Sequence, residues 1–311
     1  MPRDPIVSVI VPCFDAARTI AATIDSARGQ TLAAIEIIAV DDGSRDDTPA
    51  LLVALARADD RVRVVTQVNA GVSTARNAGI RHARAGIVAL LDSDDLWAPG
   101  HLELHVGRLA ADTRLGVSFA TARFIDAAGA PVGRARPKLG PLTPADVLSS
   151  NPATTCSTLV IRRQVFDSAG LFDATLRRNE DQEWLFRVAL GAWTIAGCAQ
   201  ATVDYRQSAD GLAADLDGML AGFECTLAAA RRIAPDVVAA AEGRARAHTL
   251  RYLARRALRL GLGPARARGY LAGALTAAPG LVLTEPKATL AVLAAAYIPG
   301  ANALVYGRAG G

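Results

Sequence analysis

Clusters of acidic side chains follow two apolar runs in the first hundred residues. Asp41 and Asp42 come directly after IEIIAV. The run IVALL is followed directly by DSDD, which contains Asp92, Asp94 and Asp95. If both runs are strands of one parallel sheet, these side chains gather at the sheet edge where ligands bind. Several carboxylates at one edge repel one another and raise one another's pKa unless a cation joins them. The pattern therefore predicts a divalent metal ion that bridges carboxylates to a diphosphate.

Four short apolar runs in the same region have the composition of buried strands. They are IVSVIVPCF at residues 6–14, IEIIAV at 35–40, VRVVTQ at 62–67 and IVALLD at 87–92. Stretches with helical spacing of apolar residues separate them. Because strands that alternate with helices form right-handed crossovers, we expect an α/β fold with a doubly wound, mainly parallel sheet.

The rest of the chain is less regular. Residues 129–144 are rich in Gly, Pro and basic residues, which favours a loop or lid. A helix is predicted to begin near Glu180, with apolar residues on one face. Beyond residue 210 the sequence is rich in Ala and Arg, and the spacing of Arg251, Arg255 and Arg259 predicts one basic stripe on a helix.

Composition and charge narrow the class of protein. Of 311 residues, 51% are hydrophobic and 21% charged, so the chain can form a sizeable core and is not disordered as a whole. From Glu224 onward the chain carries twelve Arg or Lys and four Asp or Glu. The preceding part carries 22 Arg or Lys and 26 Asp or Glu. This asymmetry argues against a nucleic-acid partner and for a rear segment that meets phosphate or an anionic membrane.

Two further features bear on location. The four cysteines are scattered without a C-x-x-C pair, and the apolar stretch at the N-terminus is too short for a secretory signal. We therefore expect a cytoplasmic protein, with peripheral contact to the inner membrane face through its C-terminal region. Residues 288–305 are uncharged but rich in Ala and contain Pro299 and Gly300, which favours a packed or interfacial helix over a membrane span.

Five motifs occur in a specific order. They are VSVIVPCFDAARTI, EIIAVDDGSRDDT, NAGVSTARNAGI, ALLDSDDLW and, far downstream, NEDQEWLFR. Together they resemble the family 2 glycosyltransferases of the GT-A fold. The resemblance covers residues 6–206 and has no residue-level match after about residue 215. We therefore expect a glycosyltransferase domain at residues 1–215, with a nucleotide-binding half at about 1–115 and an acceptor-side half at about 116–215, and a basic helical region at 216–311.

The resemblance implies a nucleotide site at the end of the first two strands. Pro12, Cys13 and Phe14 match the positions that line the base in this family, and Asp41 matches the residue that reads it. A carboxylate that accepts an imide N–H makes chemical sense there. Phe14 stands where tyrosine is commoner and Asp15 where asparagine is, so stacking is retained while one polar contact is lost.

Further positions carry over from the same resemblance. Arg76 lies in the ARN signature near the nucleotide, and Asp92-Ser93-Asp94 matches the D-x-D signature. In this family Asp92 would face the ribose and Asp94 would bind Mn²⁺ or Mg²⁺ on the diphosphate. Asp181 matches the catalytic base of the E-D motif. One base without a covalent nucleophile implies a single displacement with inversion at the anomeric carbon.

The implied activity is transfer of a sugar from a nucleotide-sugar donor, UDP- or dTDP-linked, to a hydroxyl of a glycan or glycolipid acceptor in polysaccharide or glycolipid synthesis. Two alternatives remain open. A nucleotidyltransferase can share a similar core, but it normally has a Gly-rich phosphate loop after the first strand, which VPCFDAAR lacks. A non-catalytic subunit that binds sugar nucleotides is the other, although such a protein would be free to lose Asp94 and Asp181.

Overall fold

The structure is a computed structural model, and it describes residues 4–207, 215–298, 300 and 301. The chain divides into two compact units. The first comprises Met1–Thr143 and Pro152–Ser208, and the second Pro144–Asn151 and Ala209–Gly311. The predicted assignment of donor and acceptor halves within residues 1–215 stays a prediction.

The elements alternate between strands and helices through the first half of the chain. The strands are β1 (Val7–Cys13), β2 (Ile35–Asp41), β3 (Val62–Thr66), β4 (Ile87–Leu90), β5 (Leu96–Trp97), β6 (Leu115–Ile125), β7 (Pro131–Arg134), β8 (Leu159–Arg162) and β9 (Thr194–Arg206). The helices of the first unit are α1 (Ile20–Arg28), α2 (Thr48–Ala58), α3 (Val72–His82), α4 (His101–Ala111), α6 (Arg163–Ala169) and α7 (Glu180–Leu190), with a 3₁₀ turn at Cys156–Thr158. The second unit contains α5 (Pro144–Ser149), α8 (Leu216–Ile233), α9 (Pro235–Arg259), α10 (Pro264–Ala277), α11 (Leu281–Thr284) and α12 (Pro286–Tyr297).

One sheet forms the centre of the first unit, in the order β3-β2-β1-β4-β8-β6-β9-β5. The strands from β3 to β4 pair in parallel, as do β6 and β9, whereas β8 runs antiparallel to both of its neighbours. Every residue of β1 and β2 is buried, as expected of parallel strands covered on both faces by helices. The predicted doubly wound GT-A sheet is confirmed.

A close approach between α3 and β1 sets where α3 lies. A Cβ atom added at Gly79 would lie 2.3 Å from Cγ2 of Ile10, a distance that real contacts do not reach. Asn77, two residues earlier on α3, exchanges both amide hydrogen bonds with the backbone of Phe172, at 2.8 and 3.0 Å. The helix is therefore fixed against the sheet on one side and against the chain before α7 on the other.

The prediction of a loop or lid over residues 129–144 was partly wrong. β7 lies within this segment and pairs antiparallel with β6. All four residues of β7 are exposed, and its first residue is Pro131. An edge strand tolerates proline and glycine because one row of its backbone groups faces solvent, so the composition did not exclude a strand.

The second unit is entirely helical in its described residues. Its cores are small and rich in alanine and leucine, with Leu253, Ala257, Leu271 and Val292 among the buried residues. None of the helices in the described residues is both long and apolar enough to cross a membrane. α12 covers the first part of the predicted segment 288–305, whereas Pro299 and residues 302–305 lie outside the described part of the chain.

The predicted basic stripe on α9 needs one correction. Arg251 does not face solvent with Arg255 and Arg259, because its guanidinium donates to Thr289 at 3.0 Å and to Glu285. Its side chain is 13% exposed. Arg251 therefore joins α9 to the segment that begins α12, and the exposed basic face starts at Arg255.

Candidate active site

The loops that follow β1 and β2 are joined to each other. The backbone N–H and the guanidinium of Arg45 donate to the two carboxylate oxygens of Asp15, each at 2.7 Å, and lower the pKa of Asp15. Ser44 accepts from the Asp15 backbone N–H at 3.1 Å. Asp15 has a φ of 47°, a left-handed conformation that aspartate tolerates better than most residues. The two loops therefore form a defined rim.

Phe14, predicted to line the base, is 43% exposed on this rim. The guanidinium carbon of Arg45 lies 5.3 Å from the centre of the ring, within the range of a cation–π contact. Pro12 and Cys13 are both buried. The thiol of Cys13 donates to the carbonyl of Val11, and burial followed by the nearby Asp41 carboxylate raises the pKa of Cys13. Phe14 thus offers the exposed aromatic surface, while Cys13 packs in the core.

The two aspartates at the end of β2 differ in their hydrogen bonds. Asp42 accepts from Gln67 Nε2 at 2.7 Å and from the backbone N–H groups of Ala70 and Gly71 at 2.9 Å each, so it holds the loop that leads into α3. Asp41 is 3% exposed and accepts one hydrogen bond, from the Ser44 backbone N–H at 3.1 Å. Among the described residues no donor reaches its second carboxylate oxygen.

The DSDD segment follows β4 and is held by hydrogen bonds to the 3₁₀ turn and to Thr155, the residue before it. Ser157 Oγ accepts from the Asp92 backbone N–H at 2.9 Å and donates to Asp95 Oδ2 at 2.5 Å. Thr155 Oγ1 lies 3.1 Å from Asp92 Oδ2 and 3.2 Å from Asp95 Oδ2. Asp95 also accepts from the backbone N–H of Arg206 at 3.0 Å and is fully buried. Asp95 is therefore a structural anchor of the segment.

Asp94 differs from its neighbours. Its side chain is partly buried, and within the described chain no side-chain donor reaches its carboxylate. Arg206 instead donates through Nε to the Asp94 backbone carbonyl at 3.0 Å. Burial, and then the charge of Asp92, raises the pKa of Asp94 to about 6. The carboxylate repulsion expected from the sequence is present, although burial is the larger cause. Ser93 lies between the two carboxylates, and its backbone carbonyl accepts from Thr23 at 2.9 Å.

These carboxylates fit a divalent cation that is shared with a ligand. Within the described residues no three His, Cys, Asp or Glu side chains are arranged to hold a metal by themselves. Mg²⁺ and similar ions at phosphate sites are bound by one or two carboxylates, with phosphate oxygens completing the shell. Asp94, to whose carboxylate no side chain of the described residues donates, forms such a pair with Asp92, and a cation would offset the repulsion between them.

Arg76 connects the D-x-D segment to α7. Its guanidinium donates to Asp92 Oδ1 at 2.7 Å and to Glu180 Oε1 at 2.6 Å, and the side chain is 5% exposed. Burial opposes its charge, yet the carboxylates of Asp92 and Glu180 hold the pKa of Arg76 well above its ordinary value. The ring of Phe172 lies 5.8 Å from the guanidinium carbon. Two motifs that are 88 residues apart in sequence therefore share one buried cation.

Asp181 lies in the first turn of α7. Asn179 precedes the helix in the left-handed conformation, with a φ of 58°, so the chain turns sharply before Glu180 and Asp181. Glu180 is directed to Arg76, whereas Asp181 is partly exposed and accepts from the Gln182 backbone N–H at 2.8 Å. Carboxylates are favoured at a helix N-terminus by the helix dipole. Adjacent acids thus divide into one buried ion-pair partner and one accessible carboxylate.

Several residues of this site had no signal in the sequence. Thr155 and Ser157 support the D-x-D segment, and Cys156 between them is buried near Arg76 and the carboxylates of Asp181 and Asp92. Burial raises the pKa of the Cys156 thiol, which keeps it neutral. A run of five small polar residues, TTCST, between the irregular segment and β8 was the one local feature that could have pointed to them. Trp97 and Trp184, the tryptophans near these motifs, are buried and pack in the protein core.

Comparison with known proteins identifies the family to which the chain belongs. The model of glycosyl transferase family 2 matches residues 8–169, slightly more than half of the chain. Chondroitin synthase from Escherichia coli is 35% identical over 127 residues, which are 41% of this chain and 18% of the synthase. This chain therefore spans about a fifth of the length of that relative.

Two solved structures share the fold. The mannosyltransferase PcManGT from Pyrobaculum calidifontis, in complex with GDP-Man and Mn²⁺, has a TM-score of 0.62 at 20% identity, with 97% of this chain and 87% of that chain covered. TarS 1-349 from S. aureus, in complex with UDP-GlcNAc, has a TM-score of 0.58 at 18% identity and covers 96% and 89%. The fold, the ordered motifs and the family match agree, and this chain belongs to glycosyl transferase family 2.

Proposed function

We propose that this chain is an inverting, metal-dependent glycosyltransferase that moves a sugar from a UDP- or dTDP-sugar to a hydroxyl of a glycan or glycolipid acceptor. The observation that carries the proposal is the contact of Arg76 with both Asp92 and Glu180. It makes the D-x-D segment and the start of α7, which bears Asp181, parts of one connected site. One relative is a chondroitin synthase and one structural neighbour was solved in complex with UDP-GlcNAc, which supports the same class of reaction.

The rim after β1 and β2 supplies the donor-binding surface. The exposed ring of Phe14 would stack on the base, and the open carboxylate oxygen of Asp41 would accept the imide N–H of uracil or thymine. A guanine base also carries an N–H at its pairing edge, so this contact alone does not exclude a GDP-sugar. Phe14 has no hydroxyl, so in this proposal the base is selected by stacking on the ring and by its hydrogen bond to Asp41.

The D-x-D segment would hold the diphosphate. Asp94, assisted by Asp92, would bind Mn²⁺ or Mg²⁺, which stabilises the negative charge of the diphosphate leaving group when bound. Thr155 and Ser157 keep the backbone of this segment in place, so that Asp94 is directed by its own chain conformation and not by a side-chain partner. Asp92 keeps one oxygen on Arg76 throughout.

Asp181 would act as the general base. An acceptor hydroxyl is a poor nucleophile at neutral pH, and a carboxylate that accepts its proton during attack makes the displacement possible. Glu180 cannot take this role while it is bound to Arg76, so of the two acids only Asp181 is accessible. Direct attack by the hydroxyl on the anomeric carbon inverts its configuration.

The test uses the purified chain of 311 residues and a panel of UDP-, dTDP- and GDP-sugars with Mn²⁺, Mg²⁺ or EDTA. Donor binding is read as thermal stabilisation, and turnover as nucleotide release. We expect Asp181→Asn to bind donor normally and to lose about 10²-fold or more in turnover. Asp94→Asn should lose the cation-dependent part of donor stabilisation. Asp60→Asn, at an exposed position between α2 and β3, is the matched control and should behave as wild type.

Three results would contradict the proposal. Near-normal turnover by Asp181→Asn would remove the general base from the mechanism. An equal response to every nucleotide, with or without a divalent cation, would favour the alternative of a non-catalytic subunit. Release of pyrophosphate from a nucleoside triphosphate, in place of nucleotide release from a sugar donor, would favour a nucleotidyltransferase.

A further inference from the structure

The turn between α9 and α10 exposes two leucines in a defined backbone geometry. The N–H of Leu262 donates to the Ala257 carbonyl at 2.9 Å, and the N–H of Gly261 donates to the Leu258 carbonyl at 3.3 Å. With Gly261 at a φ of 68°, these bonds form a Schellman motif, which satisfies the last carbonyls of α9. The turn is therefore ordered by backbone hydrogen bonds, independently of its side chains.

The side chains at this turn are only partly covered. Leu260 is 37% exposed and Leu262 is 44% exposed, on either side of Gly261. Their neighbours Arg259 and Pro264 are exposed as well. In a Schellman motif the residue after the glycine usually contacts the helix, yet here it faces outward. We refer to residues 252–264 as the α9–α10 corner.

The last turns of α9 bring positive charge to the same corner. Tyr252, Arg255, Arg256 and Arg259 are three or four residues apart and share one face of the helix, opposite the buried Leu253 and Leu258. The guanidinium carbon of Arg255 lies 5.4 Å from the ring centre of Tyr252. Arg255 and Arg259 form no ion pair with any residue that the structure describes.

No acidic residue occurs between Glu242 and Glu285, a stretch that contains eight arginines. Other arginines of the stretch have acidic partners from outside it: Arg246 binds Glu224 and Glu242, and Arg251 binds Glu285. Arg255 and Arg259, which have no such acidic partner in the described residues, lie next to the exposed leucines of the corner.

We infer that the α9–α10 corner binds the surface of a phospholipid bilayer that contains anionic lipid. Arginines without acidic partners attract anionic head groups. Leucines beside them can enter the boundary between head groups and acyl chains, and a tyrosine on the same face suits that interface. A nucleic acid would use the charge but gain nothing from the two leucines, and a protein partner would need an acidic surface. The bilayer is the partner that uses both chemistries.

The inference is independent of the proposed transfer reaction, since vesicle binding needs no donor. The chain of 311 residues is mixed with vesicles of phosphatidylcholine alone or of phosphatidylcholine with phosphatidylglycerol, and the bound fraction is measured by flotation. We expect binding only to the anionic vesicles, weakened by added salt. Each arginine near an anionic surface contributes about fivefold, so Arg255→Glu with Arg259→Glu should bind at least about 25-fold more weakly.

A second variant separates insertion from charge attraction. Leu260→Ser with Leu262→Ser keeps every charge, and we expect binding to fall by about tenfold or more because less apolar surface enters the bilayer. The matched control is Arg57→Glu with Arg81→Glu, two exposed arginines of the first unit, which changes the net charge equally and should retain binding. Circular dichroism and thermal unfolding confirm that each variant is folded.

The inference would be overturned by absence of binding to anionic vesicles at low salt, by equal binding to neutral vesicles, or by loss of binding in the control equal to that in the corner variants. A leucine variant that binds as wild type would also overturn it, because charge alone would then account for the attraction. A stable dimer in solution that is lost in the leucine variant would assign the corner to self-association.

Discussion

Replacement of Arg76 by methionine tests the central connection of the site. Methionine keeps much of the apolar volume but removes the guanidinium, so Asp92 Oδ1 and Glu180 Oε1 lose the cation that they share at 2.7 and 2.6 Å. The side chain of Glu180 is 11% exposed and that of Asp92 is 25% exposed, so water replaces the lost contacts incompletely. Two like charges would then be left close together.

The magnitude follows from that burial. Removal of one partner from a buried ion pair destabilises a protein by about 3–5 kcal/mol. Because Asp92 is a quarter exposed, we take the lower end and expect Arg76→Met to reduce the free energy of unfolding by about 3 kcal/mol. Arg76→Lys keeps the charge but cannot form both contacts in the same geometry, so we expect an intermediate loss of about 1.5 kcal/mol.

Urea unfolding followed by tryptophan fluorescence measures these changes in the right part of the chain. All three tryptophans, Trp97, Trp184 and Trp193, lie in the first unit, which also contains Arg76. Arg81→Met is the matched control, because Arg81 lies on the same helix but is exposed. It should change stability by less than about 0.5 kcal/mol.

The double variant Arg76→Met with Glu180→Gln provides the sharper test. If the loss in Arg76→Met arises from uncompensated carboxylates, removal of one charge should restore about 1 kcal/mol or more. A double variant no more stable than Arg76→Met would refute the reasoning, as would a loss in Arg76→Met no larger than in Arg81→Met. Either result would mean that the pair contributes packing and not charge compensation.

Two further predictions concern the first unit. Burial lowers the pKa of His105 to about 3, whereas the ordinary value is 6.5, so stability present above pH 6.5 should be lost as the pH falls toward the folded value. His105→Gln should reduce that decline by about 1.4 kcal/mol per pH unit in urea unfolding between pH 6 and 4, and an unchanged slope would contradict the assignment. Gly79→Ala should destabilise by about 2 kcal/mol through its clash with Ile10, whereas Gly107→Ala, in open space on α4, should stabilise by about 0.5 kcal/mol. Equal effects at the two glycines would show that helix propensity, and not close packing, decides Gly79.

The pattern of apolar residues along the sequence was sufficient to predict the parallel strands of the sheet. The apolar runs that became β1 and β2 are buried along their whole length, and such runs between helical segments have few other stable arrangements. The positions of Asp41 and of the DSDD segment at strand ends followed from the same pattern. The edge strand β7 did not, because an exposed strand with Pro and Gly has the composition of a loop.

The sequence did not predict which acidic residue of each adjacent pair accepts hydrogen bonds from a distant segment. Asp41 and Asp42 are adjacent, as are Glu180 and Asp181, and in each pair one member is bound by donors from a distant segment: Asp42 by the loop before α3 and Glu180 by Arg76. Which member does which depends on donors from distant segments, such as Arg76 for Glu180. Side-chain type and spacing do not specify those donors.

The sequence by itself determined the family, the order of the strands that carry acids and the excess of positive charge toward the C-terminus, because these depend on residue type and on short-range periodicity. Only the tertiary structure decided that Arg76 joins Asp92 to Glu180, that Thr155 and Ser157 support the D-x-D segment, and that Arg251 is internal while Arg255 is exposed. Such contacts join residues tens of positions apart and arise only when the packing of helices on the sheet, or on one another, brings the partners within hydrogen-bond distance.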